Sequence, residues 1–154
     1  MSITAEREEV VDFSQDYYPP TASAYVGLSA DADIMGNVSA QVATIQAGYV
    51  AESGASILEF ATPEETVQAV RDGEADAVFA DYDYLAPIVA ASGGELVFVG
   101  DRVPLGGGVG AAFRDSDDAL REQIDAVLSE MKADGTLNEL LAKWFTDTAE
   151  VPQY

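Results

Sequence analysis

The chain has 154 residues, of which 28 are acidic and 7 basic, for a formal net charge of −21, and 48% of its residues are hydrophobic. That charge makes nucleic acid and anionic lipid surfaces poor partners, while the apolar share is too high for a disordered acidic chain. With no histidine and no cysteine, the commonest general base, the commonest metal ligand, any Ser-His triad and all disulfide chemistry are excluded, so neither catalysis nor a bound metal or cofactor is expected.

Met1-Ser2-Ile3-Thr4 reads as a strand end running into a turn at Ala5-Glu6-Arg7, and Tyr17-Tyr18-Pro19-Pro20 closes this first segment. No run of 18 apolar residues offers a membrane span. The polar, acidic N-terminal stretch has no basic region before an apolar one, so no secretion signal is read in it. Residues 21–28 alternate loosely and predict a crossing strand between lobes, and 29–36 a polar loop. Residues 37–45 predict a strand feeding a helix over 46–53. Gly54-Ala55 is a turn and 56–60 the next strand.

The clearest local signals follow. Thr62-Pro63-Glu64-Glu65 predicts a helix start, with Thr62 as N-cap, Pro63 in the first helical position and Glu65 completing a capping box. Gly73 ends that helix, since a residue without Cβ takes the left-handed conformation at low cost. Ala77-Val78-Phe79-Ala80 predicts a strand covered on both faces, and Asp81 stands at its carboxyl end, where open α/β sheets place their ligands. A helix is expected over 82–91, with Pro87 in its first turn, and Gly93-Gly94 breaks it. Residues 96–99 predict a strand, and Gly106-Gly107-Gly108 a flexible hinge. The glycines lack the Lys-Ser/Thr that a phosphate loop requires.

In the last third, Leu120, Ile124, Val127, Leu128 and Met131 recur at helical spacing. Gly135 is the expected C-cap. Thr136 and Glu139 are read as a second capping box, Leu137, Leu140, Leu141, Trp144 and Phe145 as an apolar face, and 146–154 as a tail. Glu64-Glu65 and Asp115-Asp117-Asp118 are read as helix-start charges complementing the dipole, not as metal ligands. The strand–helix alternation over 37–80 predicts right-handed crossovers and a parallel sheet.

Four stretches, in order, resemble the extracellular solute-binding proteins of amino-acid ABC transporters, the polar amino acid family or family 3. They are Met1–Arg7 with Val11-Asp12-Phe13-Ser14 and Tyr17-Tyr18; Val42-Ala43-Thr44-Ile45-Gln46; Arg71-Asp72-Gly73 with Asp76 to Asp81; and Glu130 to Leu137 with Trp144-Phe145. The resemblance implies an α/β fold of the type II periplasmic-binding-protein kind. Residues 19–108 would form a second lobe, one complete parallel-type sheet with helices on both faces. Residues 1–18 and 109–154 would form a partial first lobe, because the family's earlier first-lobe elements do not precede Met1.

A free amino acid needs a guanidinium for its carboxylate and a carboxylate for its ammonium. The resemblance implies Arg7, with Ser2 beside it, for the first, and Asp81 for the second. Thr44, Gln46 and Tyr17 complete the expected ligand-binding set. Read from the residues alone, Arg7 is a surface arginine paired with Glu6 or Glu8, and Asp81 an N-cap for the helix that follows. The family has a glycine and two threonines where this chain has Ala43, Thr44 and Ile45, so one hydroxyl donor is lost and the backbone at Ala43 is narrowed. Phe13, Tyr17, Tyr18 and Tyr82 are candidate pocket walls, with core packing the expected role of Phe13.

The function implied is capture of an amino acid or similar small polar solute for an ABC permease, by hinge closure, in a periplasmic or extracytoplasmic location. The alternative is a truncated, dimerising or degenerate module without ligand affinity. With the first lobe incomplete, the apolar faces of the C-terminal helices predict a homodimer that covers them. Some solute-binding-like proteins are dehydratases or lytic transglycosylases, but the lack of histidine speaks against an enzyme. The spread of carboxylates, with Lys132 and Lys143 the only lysines, predicts a protein suited to high salt, where screening weakens repulsion.

Overall fold

A computed structural model describes residues 1–145 and 153–154. The chain divides into two compact units, one of Met1–Pro20 with Gly106–Tyr154 and one of Thr21–Leu105.

The first unit opens on a short helix, α1 (Ala5–Glu8), whose N-cap Thr4 accepts the Arg7 N–H. Strand β1 (Asp12–Phe13) follows. The second unit begins with β2 (Ala22–Gly27), whose residues 23–27 are all buried. Then come β3 (Asn37–Gln41), α2 (Ile45–Ser53), β4 (Ser56–Phe60), α3 (Pro63–Arg71), β5 (Ala77–Asp81), α4 (Tyr82–Ala91) and β6 (Val97–Pro104). The five strands form one sheet in the order β4-β3-β5-β2-β6.

The helix starts and stops follow the local chemistry. At α3, Thr62 Oγ1 accepts the Glu65 N–H and the Glu65 carboxylate accepts the Thr62 N–H, so the expected capping box is complete. Gly73, one residue beyond the C-cap, lies at φ +75°. Pro87 differs from expectation: it is the sixth residue of α4, beyond the first turn. Its ring removes one helical hydrogen bond, but Leu85 is fully buried and Ile88 and Val89 pack beside it, so tertiary packing holds the helix.

The sheet is mixed and not purely parallel. Strand β3 runs parallel to β4 and β5, as the crossover helices require, but β2 runs antiparallel to both of its neighbours, β5 and β6. The link from β2 to β3, residues 28–36, holds no helix. An antiparallel direction needs no crossover helix. Alternation along the strands then sends side chains to two cores. Val26 and Val78 join Val67, Val70, Leu85 and Leu96 on the α3–α4 face. Tyr25, Ala77 and Phe79 join Val38, Val50 and Val99 on the α2 face, where the rings of Tyr25 and Tyr49 lie 4.3 and 5.1 Å from that of Phe79.

Back in the first unit, β7 (Ala112–Phe113) pairs antiparallel with β1. A short 3-10 turn (Asp115–Asp117) leads into α5 (Asp118–Asp134), and α6 (Thr136–Trp144) ends the described helices. Tyr18, Leu137 and Leu141 form the buried core here. The Gly106-Gly107-Gly108 hinge expected to be flexible is bonded on both sides: Gly107 N–H donates to Ile3 O (2.8 Å), Gly108 O accepts from Ile3 N–H (2.9 Å), and the next residue, Val109, donates to Tyr18 O. Gly108 has φ +95°, and a Cβ there would lie 2.8 Å from Tyr18 O, so this glycine answers a close backbone approach.

The second expected capping box is absent. Gly135 alone separates α5 from α6 and serves as C-cap of one and N-cap of the other, so Thr136 is already helical, and its N–H is taken by Asp134 Oδ1 at 2.8 Å. The tail expected over 146–154 falls, for 146–152, outside the described residues.

Candidate ligand-binding site

In the second unit the carboxyl end of β5 and the amino ends of α2 and α3 meet at an open pocket. Thr44, Gln46, Thr66, Asp81 and Tyr84 are among its lining residues. Three of the expected site residues are thus brought together. Asp81 occupies the N-cap position of α4, but its side chain makes no cap bond. Its Oδ1 instead accepts from Gln46 Nε2 at 2.8 Å, and the same nitrogen donates to Ser23 Oγ at 3.0 Å. Protein surroundings that displace water push the Asp81 carboxyl above its ordinary range. The charge of Asp83 adds to this and the Gln46 hydrogen bond opposes it. A carboxylate held this way, exposed and in no ion pair among the described residues, is chemically suited to an ammonium group.

Thr44 is the N-cap of α2, and its hydroxyl is occupied, accepting from Ala47 N–H at 3.1 Å and donating to Gln41 O at 2.7 Å. The first N–H groups of a helix have no carbonyl one turn below them, so this end of α2 presents polar backbone to the pocket. Ala43 holds the turn before it at φ +60°, the one non-glycine residue with positive φ among those described. That conformation is the one for which a glycine is suited, and a Cβ in it costs about 1–2 kcal/mol. The backbone turn therefore persists despite the alanine.

In the first unit, Arg7 Nη1 donates to Ser2 O at 2.8 Å. This joins Arg7 and Ser2, though through the serine backbone. No ion pair to Glu6 or Glu8 forms among the described residues, so the reading of Arg7 as a paired surface arginine does not hold. Tyr17 is anchored by its N–H to Val109 O and its side chain is partly exposed. The other aromatics separate by role. Tyr18 is buried against Leu137 and Leu141, with the Phe145 ring 4.7 Å away, and so is a core residue. Tyr82 stacks on Phe98 at 5.0 Å, and the Arg102 guanidinium lies 3.4 Å from the Tyr82 ring centre on its other contact.

Ser23 was not singled out by sequence reasoning. It lies directly across from Asp81 in the β2–β5 pairing and is almost fully buried. Only a buried serine in a run of apolar strand residues hints at it. Tyr84 and Thr66, also pocket residues, carry no sequence signal beyond helix membership.

Residues 1–147 match the family described as bacterial extracellular solute-binding proteins, family 3. Among curated relatives, the arginine-binding periplasmic protein of Mannheimia haemolytica is 27% identical over 94% of this chain and 63% of its own length. The ABC transporter glutamine-binding protein GlnH of Bacillus subtilis is 26% identical over 96% and 56%. The chain therefore spans less than two thirds of these relatives. Among solved structures, a periplasmic His/Glu/Gln/Arg/opine family-binding protein from Silicibacter pomeroyi in complex with lysine is 65% identical, with a TM-score of 0.92 over all of this chain and 70% of that one. An ancestral arginine-binding protein bound to glutamine is 30% identical, with a TM-score of 0.81 over 94% and 68%. The chain belongs to the bacterial extracellular solute-binding proteins, family 3, and carries the α/β fold of type II periplasmic binding proteins.

Proposed function

We propose that this chain captures an amino acid with a basic side chain for an ABC permease, in an extracytoplasmic compartment, by closure of two lobes. The observation that carries the reading is Asp81: its carboxylate is turned away from the capping role and offered at a pocket at the end of β5. In this reading Asp81 takes the α-ammonium and Arg7, with Ser2, takes the α-carboxylate. Backbone at the Thr44 turn supports the carboxylate end, and Tyr17 packs on the ligand. The basic side chain is favoured because the 65% identical structure was solved with lysine and because 28 acidic against 7 basic residues attract a cation. No bond is made or broken, as fits a family of solute-binding proteins.

Calorimetric titration with lysine, arginine, glutamine and glutamate tests this. Lysine or arginine binds most tightly, and Asp81→Ala and Arg7→Ala each cost about 2–5 kcal/mol, the usual penalty for truncating one partner of a charge pair. Absence of heat with every amino acid supports instead a module without ligand affinity.

A second reading, self-association, rests on a separate observation. Helix α5 buries none of its residues, Leu120 and Val127 are about half exposed, and Trp144 of α6 is 71% exposed. Apolar faces of this kind mark interaction surfaces. A second copy covering them gives a dimer, and screening of the −21 charge strengthens it in salt. Sedimentation across a salt series shows a dimer that Trp144→Asp disrupts; a monomer at all concentrations sinks this reading.

A further inference from the structure

We propose that Gln46 and Ser23 are positioning residues that hold the Asp81 carboxylate in the orientation a ligand ammonium needs, and that the Gln46 amide nitrogen does not itself donate to the ligand. The inference rests on the reading of Asp81 as the ammonium acceptor.

A glutamine amide nitrogen carries two hydrogens. Both are used here, one by Asp81 Oδ1 and one by Ser23 Oγ. The amide orientation follows from the chemistry, because a carboxylate only accepts and the nitrogen must face it. Gln46 is 7% exposed and Ser23 1% exposed, so this bracket is built into the interior. It also spans a cross-strand pair: Ser23 and Asp81 are register partners in β2 and β5, and Gln46 reaches both from α2. Three elements far apart in sequence fix one carboxylate.

The same carboxylate has an alternative role within its own helix. Asp81 occupies the N-cap position of α4, where an aspartate ordinarily accepts the N–H groups of the first turn. No such bond forms. Among the described residues the Asp81 side chain accepts at Oδ1 from Gln46, and Oδ2 is left for a ligand. None of the neighbouring side chains supplies a cation. Helix α4 contributes Asp83 and Tyr84, β2 contributes the neutral Ser23, α2 contributes Thr44 and Gln46, and no ion pair among the described residues includes Asp81. The Gln46 hydrogen bond is the influence that lowers the carboxyl pKa against displaced water and Asp83.

The test is Gln46→Met, which keeps length and volume and removes both donors, with Ser23→Ala as a milder companion. Two readouts separate the proposal from the reading beneath it. In the free protein, the Asp81 side-chain carboxyl is followed by carbon NMR through a pH titration. Its midpoint rises in Gln46→Met, and an unchanged or lowered midpoint overturns the proposal whether or not any ligand binds. In calorimetry, L-lysine is compared with 6-aminohexanoate, which lacks the α-ammonium. Gln46→Met weakens lysine roughly ten-fold, the value of one charge-assisted hydrogen bond, and leaves 6-aminohexanoate unchanged. Equal losses for both compounds mean that Gln46 is merely part of the packing, and the proposal fails. Should wild type bind neither compound, the ammonium reading falls and the carboxyl titration alone decides whether Gln46 sets Asp81.

Discussion

The two units use apolar residues in different ways. In the second unit, both faces of the sheet are covered, and Val26, Val38, Ala77, Val78, Phe79 and Leu85 are fully buried. In the first, the buried core among the described residues is Tyr18, Leu137 and Leu141, while Leu120, Ile124, Val127, Leu140 and Trp144 stay at the surface. The exposed set on α5 and α6 nonetheless has the regular spacing of a buried helix face. Spacing thus reports that a face is apolar, but not that anything covers it. Coverage depends on which elements fold against it.

The sharpest way to break the comparison is by truncation. Phe79 has no exposed surface and contacts two rings, so Phe79→Ala destabilises by about 3–5 kcal/mol through lost burial and the cavity left behind. Leu120→Ala on α5 costs under about 0.5 kcal/mol, the usual range for surface positions. Denaturant unfolding of the two variants measures both. A large loss at Leu120 would mean that this face is covered in solution, which is the self-association reading again.

Much of the second unit was legible in the sequence because its signals are local. Thr62, Pro63, Glu65 and Gly73 each act within four residues of the helix end that they define. Asp81 was legible for a similar reason, since a carboxylate closing a short apolar run marks a strand's carboxyl end. The box read at Thr136 and Glu139 failed because the linker between α5 and α6 is a single residue, and Gly135 fills the N-cap position that Thr136 was given. Pattern matching on Thr-x-x-Glu does not see the length of the connection before it. Strand β2 was legible as a strand but not in its place, since the strand expected to cross between lobes lies wholly within the second unit's sheet, and Ser23 stood out only as a serine in an apolar run. Its meeting with Asp81, 58 positions later, is a product of sheet order. Long-range pairing of this kind leaves no trace in local spacing.

A smaller effect separates backbone from side chain in the binding unit itself. Ala43 sits at φ +60° and Thr44 caps the helix behind it. Ala43→Gly relieves left-handed strain of about 1–2 kcal/mol and gives back roughly 0.5–1 kcal/mol in the entropy of the unfolded chain. The expected net is a gain of about 0.5–1 kcal/mol in unfolding free energy, seen as a higher denaturant midpoint at unchanged slope. A loss of stability would mean that the alanine methyl makes compensating contacts. The same variant tests whether the turn is tuned for a ligand, because a gain in stability without change in lysine affinity separates the two.

The smallest expected effect is also the one that tells a ligand carboxylate from a structural one, and the two ends of β5 offer the control. At the amino end, Asp76 Oδ2 accepts the Asn37 N–H at 2.8 Å and tightens the β3–β5 start. At the carboxyl end, the pKa of Asp81 is raised, chiefly by loss of water and then by Asp83. A carboxyl with a higher pKa in the folded state binds its proton more tightly folded than unfolded. Its contribution to stability therefore falls as pH rises from the unfolded value through the folded one, and ionised Asp81 weakens the fold at neutral pH. Asp81→Asn keeps an acceptor for Gln46 and removes the charge, so the variant is slightly more stable than wild type at pH 7. That gap closes as pH drops from the raised folded value of Asp81 to the ordinary carboxylate value of the unfolded chain. Asp76→Asn shows the opposite sign at pH 7, because it weakens a backbone hydrogen bond to a charged acceptor. Thermal unfolding of the three proteins across pH measures both curves. An Asp81→Asn variant less stable than wild type at pH 7 would place Asp81 with Asp76 among the residues kept for the fold.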